Sequence, residues 1–213
     1  MSEPKHPSRF ARHREMVTAV VSFFVGALAL ATSTYNVYLQ RQQVRAQVWP
    51  RLAIAADLNN GSFTVALANR GVGPAEIRRL RVTVDGKAAS DWFDVERRLL
   101  GRDDFDMMNV LIGAIEGQVV SPGQELTTLG VHNVGDARAL FFALDRLGME
   151  LCYCSTLGEC WIESQPSAIE PTRTYAVPEC APDPAPFRAA TRASYAALQK
   201  HVADVLRDAG GRD

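Results

Sequence analysis

The sequence predicts a mainly β (α+β) protein. An N-terminal transmembrane helix leads into a small antiparallel β-sandwich-like domain with one or two short helices, and a C-terminal amphipathic helix follows. Three observations predict this. An uncharged apolar run near the start is long enough to cross a bilayer. Apolar and polar residues alternate between tight-turn sequences over residues 52–84. Four cysteines crowd into the 29 residues from Cys152 to Cys180. The 213-residue chain carries 23 Lys+Arg against 24 Asp+Glu, and its 47% hydrophobic and 22% charged residues are ordinary globular proportions. That composition excludes wholesale disorder and collagen-like repetition, and the near-neutral balance lacks the electrostatic footprint of a nucleic-acid binder.

The neutral total hides an asymmetry. Residues 1–51 hold seven basic side chains (Lys5, Arg9, Arg12, Arg14, Arg41, Arg45, Arg51) against Glu3 and Glu15, whereas residues 52–213 are net acidic by six. No charge lies between Glu15 and Arg41. The 24 residues from Met16 to Leu39 form a helix of about 36 Å, against a hydrocarbon core of about 30 Å. A helix satisfies its own backbone groups in lipid, and Tyr35 and Tyr38 fall where amphipathic rings suit the headgroup level. A buried core helix competes poorly with a run so long and arginine-flanked. A cleaved signal peptide is the stronger competitor, since Ala27-Leu28-Ala29 and Ala29-Leu30-Ala31 offer small-x-small cleavage patterns. Apolar and aromatic residues continue to Leu39, however, so the expectation is an uncleaved signal anchor at 16–39 behind a basic N-terminus at 1–15. Polar residues from Gln40 to Val48 extend the helix over 40–50 until Trp49-Pro50 stops it.

Leu52, Ile54, Ala56 and Leu58 alternate with polar or small residues, as do Phe63, Val65 and Leu67, and Asn59-Asn60-Gly61 between them is a hairpin turn. Asn69 to Ala75 (NRGVGPA) is a stretch of turn formers. Leu80, Val82 and Val84 alternate again up to Asp85-Gly86, so antiparallel β structure is expected. Ser90 to Leu100 suits a short helix capped by Ser90. Arg102 to Asp106 (RDDFD) reads as an exposed loop. Val119-Val120 and Leu126–Val131 are strand candidates around the turn residues Ser121 to Gln124. Ala137 to Leu147 is tilted toward helix by its alanines and leucines. The domain spans 51–182, long enough for one core without help from cross-links.

Cys152, Cys154, Cys160 and Cys180 read as disulfides, because an even cluster behind an export-like segment belongs in an oxidising compartment. Residues two apart on a strand share a face, so Cys152 and Cys154 are ill placed to bond each other. A turn at Ser155–Glu159 between strands Met149–Cys154 and Cys160–Glu163 favours Cys154–Cys160 with Cys152–Cys180. Cys152–Cys160 with Cys154–Cys180 is the alternative. Thiolate binding of copper or zinc by Cys152, Cys154 and Cys160 competes. The histidines (His6, His13, His132, His201) show no ligand spacing, though, and no Cys-x-x-Cys pair occurs. The positive-inside count, four before the span and three after, decides little. The cysteines place the N-terminus in the cytoplasm and the domain outside.

Four prolines between Pro178 and Pro186 suggest an extended linker. Phe187, Thr191, Tyr195, Leu198, Val202 and Val205 then recur at helical spacing, so 183–213 reads as linker plus amphipathic helix. This helix packs on its own domain or frays, binds a partner, or lies on anionic lipid through Arg188, Arg192, Lys200 and Arg207.

The span ending YNVYLQRQQVRAQVWPRL, the NRGVGPA stretch, and Cys152-Tyr153-Cys154-Ser155 through Cys160-Trp161 together resemble a group of uncharacterised bacterial single-span inner-membrane proteins. The likeness covers most of residues 16–165. It implies a single-pass protein of the bacterial inner membrane with an exported, periplasmic β-rich domain, and it implies no activity.

Chemistry is thin in the sequence. No nucleophile elbow, P-loop, dinucleotide fingerprint or His-Glu-x-x-His occurs. Asn69 to Gly73 has glycines but no following helix to present to phosphate. Asp103, Asp104 and Asp106 lack the offsets of a calcium loop. His132 near Asn133 and Asp136 reads as a surface residue rather than a general base. Asn60-Gly61-Ser62 matches a glycosylation sequon that a hairpin turn already explains. No catalytic residue, cofactor or resident metal is assigned. The expected function is a membrane-tethered, non-catalytic binding domain whose partners are the lipid bilayer and a membrane or periplasmic protein. A metal-handling module is the alternative, and an enzyme whose residues converge only in three dimensions is the third reading.

Overall fold

The uncharged run closes its own backbone hydrogen bonds as helix α1, Arg9–Gln47, in a computed structural model that describes residues 9–102 and 109–210. Within His13–Arg45 an 18-residue stretch reaches a mean hydropathy of 2.0 with no residue buried, and the helix is long and apolar enough to cross a membrane. Three of its hydroxyls are turned back onto the helix. The hydroxyls of Thr18, Thr32 and Thr34 donate to the carbonyls of Arg14, Leu28 and Leu30 at 2.8, 3.0 and 2.9 Å. This is the arrangement that hydrocarbon demands of a hydroxyl. The helix stops three residues before Pro50, as the residue preference before proline requires.

The chain divides into two units, Met1–Gln47 and Val48–Asp213. The second contains two antiparallel sheets. Strands β1 (Leu52–Asn59) and β2 (Ser62–Asn69) form the expected hairpin. Asn60 and Gly61 take φ of 49° and 78°, the paired positive values of a type I′ turn. The remaining strands are β3 (Ala75–Val84), β4 (Lys87–Ala88), β5 (Val110–Ile112), β6 (Val119–Val120) and β7 (Glu125–Val131), then β8 (Leu147–Ser155), β9 (Cys160–Gln165) and β10 (Arg173–Val177). One sheet has the order β1-β2-β7-β5 and the other β10-β9-β8-β3-β4, with β6 also paired to β3. Leu52, Phe63, Val65 and Leu67 of the first sheet share one hydrophobic cluster with Ile77, Val82, Leu151 and Tyr153 of the second. The fold is mixed α+β, as expected.

The third strand of the early region is antiparallel, as expected, but lies outside the β1–β2 sheet. It crosses to the second sheet and pairs with β8 from Ala75↔Ser155 to Val84↔Leu147. Several other expectations need correction. Helix α2 (Trp92–Leu100) is capped by Asp91, not Ser90. Asp91 Oδ1 accepts from Asp94 N at 2.8 Å, while Ser90 N donates to Asp94 Oδ2 at 3.1 Å, so the cap sits one residue later than the serine suggests. Helix α3 (Val134–Phe142) starts earlier than Ala137 because Asn133 Oδ1 accepts from Gly135 N and Asp136 N. It also ends before Leu147, which is needed opposite Val84. Strands β4, β5 and β10 were not foreseen, being short or, in Arg173–Val177, without alternation. The exposed loop expected at Arg102–Asp106 falls, beyond Arg102, outside the described residues.

The proline-rich stretch is not a free linker. Arg79 Nη1 donates to Ala181 O at 2.6 Å, and Arg81 Nε meets Asp183 Oδ2 at 2.7 Å. Phe187, expected on the apolar face of the last helix, is only 3% exposed and packs edge-on against Trp92 with ring centroids 5.1 Å apart. The last helix, α4 (Arg192–Gly210), therefore begins later, where Thr191 and Ser194 exchange hydrogen bonds at its N-terminus.

Candidate functional site

Strand alternation puts Cys152 and Cys154 on one face of β8, and the β8–β9 register sets Cys154 directly opposite Cys160. The intervening turn is closed by Ser155 N donating to Glu159 O at 2.8 Å, and Gly158 supplies a φ of 78° that a side chain would resist. Cys154 is bonded to Cys160 with Cα atoms 4.0 Å apart. Cys152 is bonded to Cys180 with Cα atoms 5.8 Å apart. This is the connectivity the hairpin favours. No cysteine is free among the described residues. The two bonds touch: Cys154 Sγ lies 3.8 Å from Cys180 Sγ, and the sulfurs of Cys154, Cys160 and Cys180 lie within 4.8 Å of one another. Metal binding by Cys152, Cys154 and Cys160 would require reduction first, because a bonded sulfur is not a thiolate ligand.

The other face of the same two strands carries Tyr153, Trp161 and Glu163. Trp161 lies between the rings of Trp49 and Tyr153, with centroid separations of 6.4 and 5.9 Å. Tyr153 and Glu163 accept hydrogen bonds from the Leu52 and Ile54 backbone, which occupies the edge strand β1. Burial pushes the Tyr153 hydroxyl up to about 12, helped by the nearby Glu163 charge. Burial also pushes the Glu163 carboxyl up to about 7, against the pull of the Ile54 hydrogen bond and Arg51.

The NRGVGPA stretch is a turn, as expected, and it is also a clamp. Asn69 is 1% exposed, and its side chain makes four hydrogen bonds. Its Oδ1 accepts from Arg51 N at 3.2 Å and Gly71 N at 2.9 Å. Its Nδ2 donates to Gly73 O at 2.8 Å and Val120 O at 2.9 Å. Sequence reading took Asn69 only as a turn former; an asparagine ending an apolar strand was the signal for more.

The second candidate was missed altogether. Beside β3 lies a cleft of about 340 Å³, lined by Leu80, Trp92, Ile115, Glu116, Phe187 and Arg188 among others. Trp92 is 1% exposed, and its indole Nε1 has no hydrogen-bond partner among the described residues. One turn along α2, Glu96 is equally buried with both carboxylate oxygens unpartnered, and burial pushes its carboxyl up to about 7. Both the indole N–H and the carboxylate are shut off from solvent, so they are unsatisfied groups of the interior beside the cleft. The helical spacing of Trp92 and Glu96 on the apolar face of α2 was legible, but the arrival of Phe187 from far along the chain was not.

His132 does not assemble a catalytic group. Its Nδ1 lies 3.0 Å from Ser62 Oγ, Asn133 is spent on capping α3, and Asp136 is paired with Arg102. Asp103, Asp104 and Asp106 lie outside the described residues. No protein-family model, curated protein or solved structure matches this chain.

Proposed function

We propose that this chain is a single-span bacterial inner-membrane protein with its N-terminus in the cytoplasm. Its sandwich-like, disulfide-clamped domain stands in the periplasm and binds a membrane or periplasmic protein. Three features support the topology: an exposed apolar helix, a basic segment ahead of it, and two disulfides in the following domain. Tethering in a plane raises the effective concentration of the domain near other membrane components.

The observation that carries the binding reading is the cleft lined by Leu80, Ile115 and Phe187. An apolar residue of a protein partner fits that lining. Its side chain enters between Leu80, Ile115 and Phe187, with Glu116 and Arg188 beside it to meet the partner's polar groups. Photo-crosslinking in living cells tests this, with a benzophenone amino acid in place of the exposed Arg188 at the rim. The expected result is a discrete protein adduct that falls about tenfold when Ala114→Leu partly fills the cleft. An adduct indifferent to that substitution, or none at all, would count against the cleft.

A further inference from the structure

We propose that the paired disulfides form a thiol–disulfide exchange site, in which reduction of either native disulfide opens an equilibrium with a bond between the central sulfurs of Cys154 and Cys180. The proposal stands on the 3.8 Å separation of those two sulfurs, close to van der Waals contact. It stands also on their position in the chain: each belongs to a different disulfide, so attack of one on the other breaks a bond as it makes one.

The substrate is a dithiol, and entry is at Cys180. Cys152, Cys154 and Cys160 are 0%, 6% and 7% exposed, whereas Cys180 is half-buried. A thiolate of the dithiol attacks Cys180 Sγ, forming a mixed disulfide and expelling Cys152 as thiolate, which takes a proton from water. The second thiol of the dithiol then attacks its own mixed-disulfide sulfur and releases Cys180 as thiolate. The dithiol leaves as a disulfide, having given up two electrons. Cys180 next attacks Cys154 Sγ, 3.8 Å away; the Cys154–Cys180 bond forms, the Cys154–Cys160 bond breaks, and Cys160 leaves as thiolate to be protonated.

Reduction of Cys154–Cys160 first leads to the same product. The Cys154 thiolate attacks Cys180 Sγ and expels Cys152. Either route ends with one central disulfide and two outer thiols, Cys152 and Cys160. The segment around Cys180 thus stays cross-linked to β8 through the loss of either native bond, and the reducing equivalents that enter at Cys180 emerge at Cys160 beside the exposed turn Thr156–Gly158.

The full chain, purified in detergent, is titrated with dithiothreitol, quenched in acid, alkylated and mapped by mass spectrometry. The expected result is a singly reduced population in which about a tenth or more of molecules carry Cys154–Cys180 with Cys152 and Cys160 alkylated. In parallel, the C152S/C160S variant is oxidised as monomer. Closure of a Cys154–Cys180 bond supports the proposal, and two thiols that remain free, or bridge only between molecules, overturn it. If the variant does not fold, the wild-type titration decides alone: a singly reduced population holding only Cys152–Cys180 or Cys154–Cys160 overturns the exchange.

Discussion

Replacing Gly73 with alanine is expected to cost the second unit about 4 kcal/mol or more, a loss reserved for changes the backbone cannot absorb. A Cβ there would land on the Val48 carbonyl, and one at Gly71 would land on the Trp49–Arg51 backbone. Neither obstacle is a flexible side-chain tip. The glycines lie this close because the stretch straps the chain that leads out of the long helix. Arg70 N donates to Arg51 O at 2.7 Å, and Val72 N and Gly73 N donate to Trp49 O at 3.0 and 3.2 Å. Asn69 holds both sides of the strap through Arg51 N and Gly73 O. Forcing the strap open therefore leaves several buried polar groups unpaired at once. Gly86 is the internal control. It has a φ of +72° but open space around its Cβ position, so alanine there costs about 1 kcal/mol of backbone strain. Urea midpoints of the two variants in detergent, followed by near-ultraviolet circular dichroism, provide the comparison. Equal midpoints would mean that the strap is not where the unit is held.

Replacing Glu96 with leucine is expected to remove about half of a pH dependence that the wild-type protein shows between pH 4.5 and 7. Burial raises the carboxyl to about 7 in the folded chain, from an ordinary 4.5. Below pH 4.5 the group is protonated whether folded or unfolded, and it adds no pH-dependent cost. As pH rises toward 7 the unfolded chain releases the proton first, so stability falls. Above 7 the penalty is complete, at about 3 kcal/mol. Leucine has no proton to lose and no carboxylate oxygens to leave unpartnered, so the variant should exceed wild type most at pH 8. Glu163 is shifted in the same direction and leaves a residual slope of the same sign. Thermal unfolding at pH 5 and pH 8 measures the difference. Parallel profiles for wild type and variant would show that Glu96 is solvated or paired.

Local chemistry was legible from sequence where one segment decides it alone. The apolar span, the Asn60-Gly61 hairpin and the cysteine turn each carry their own signal within a dozen residues. The register that sets Cys154 against Cys160 follows from that turn, so the sequence favours this connectivity over Cys152–Cys160 with Cys154–Cys180 without excluding the latter. What escaped depended on distant segments. Ala75–Val84 alternates like a third strand of the hairpin, and nothing local says that it belongs beside β8 in the other sheet. Phe187 sits at helical spacing with Tyr195 and Leu198, yet the ring is claimed by Trp92. The stretch from Pro178 to Pro186 reads as a linker because Ala181 O and Asp183 Oδ2, its acceptors for Arg79 and Arg81, lie 102 residues from their donors. The cleft is likewise a product of tertiary packing, with α2, β3 and the stretch before α4 each supplying one wall.

The central claim is that the apolar helix stays in the membrane and holds the cysteine-bearing domain in an oxidising space. A chain carrying an epitope at its N-terminus and alkaline phosphatase after Asp213 tests it in one fractionation. Phosphatase activity is expected in the membrane fraction, on a polypeptide that still carries the epitope. An inactive reporter would put the domain in the cytoplasm, and an active one released without the epitope would make the helix a cleaved leader. Either outcome contradicts the account.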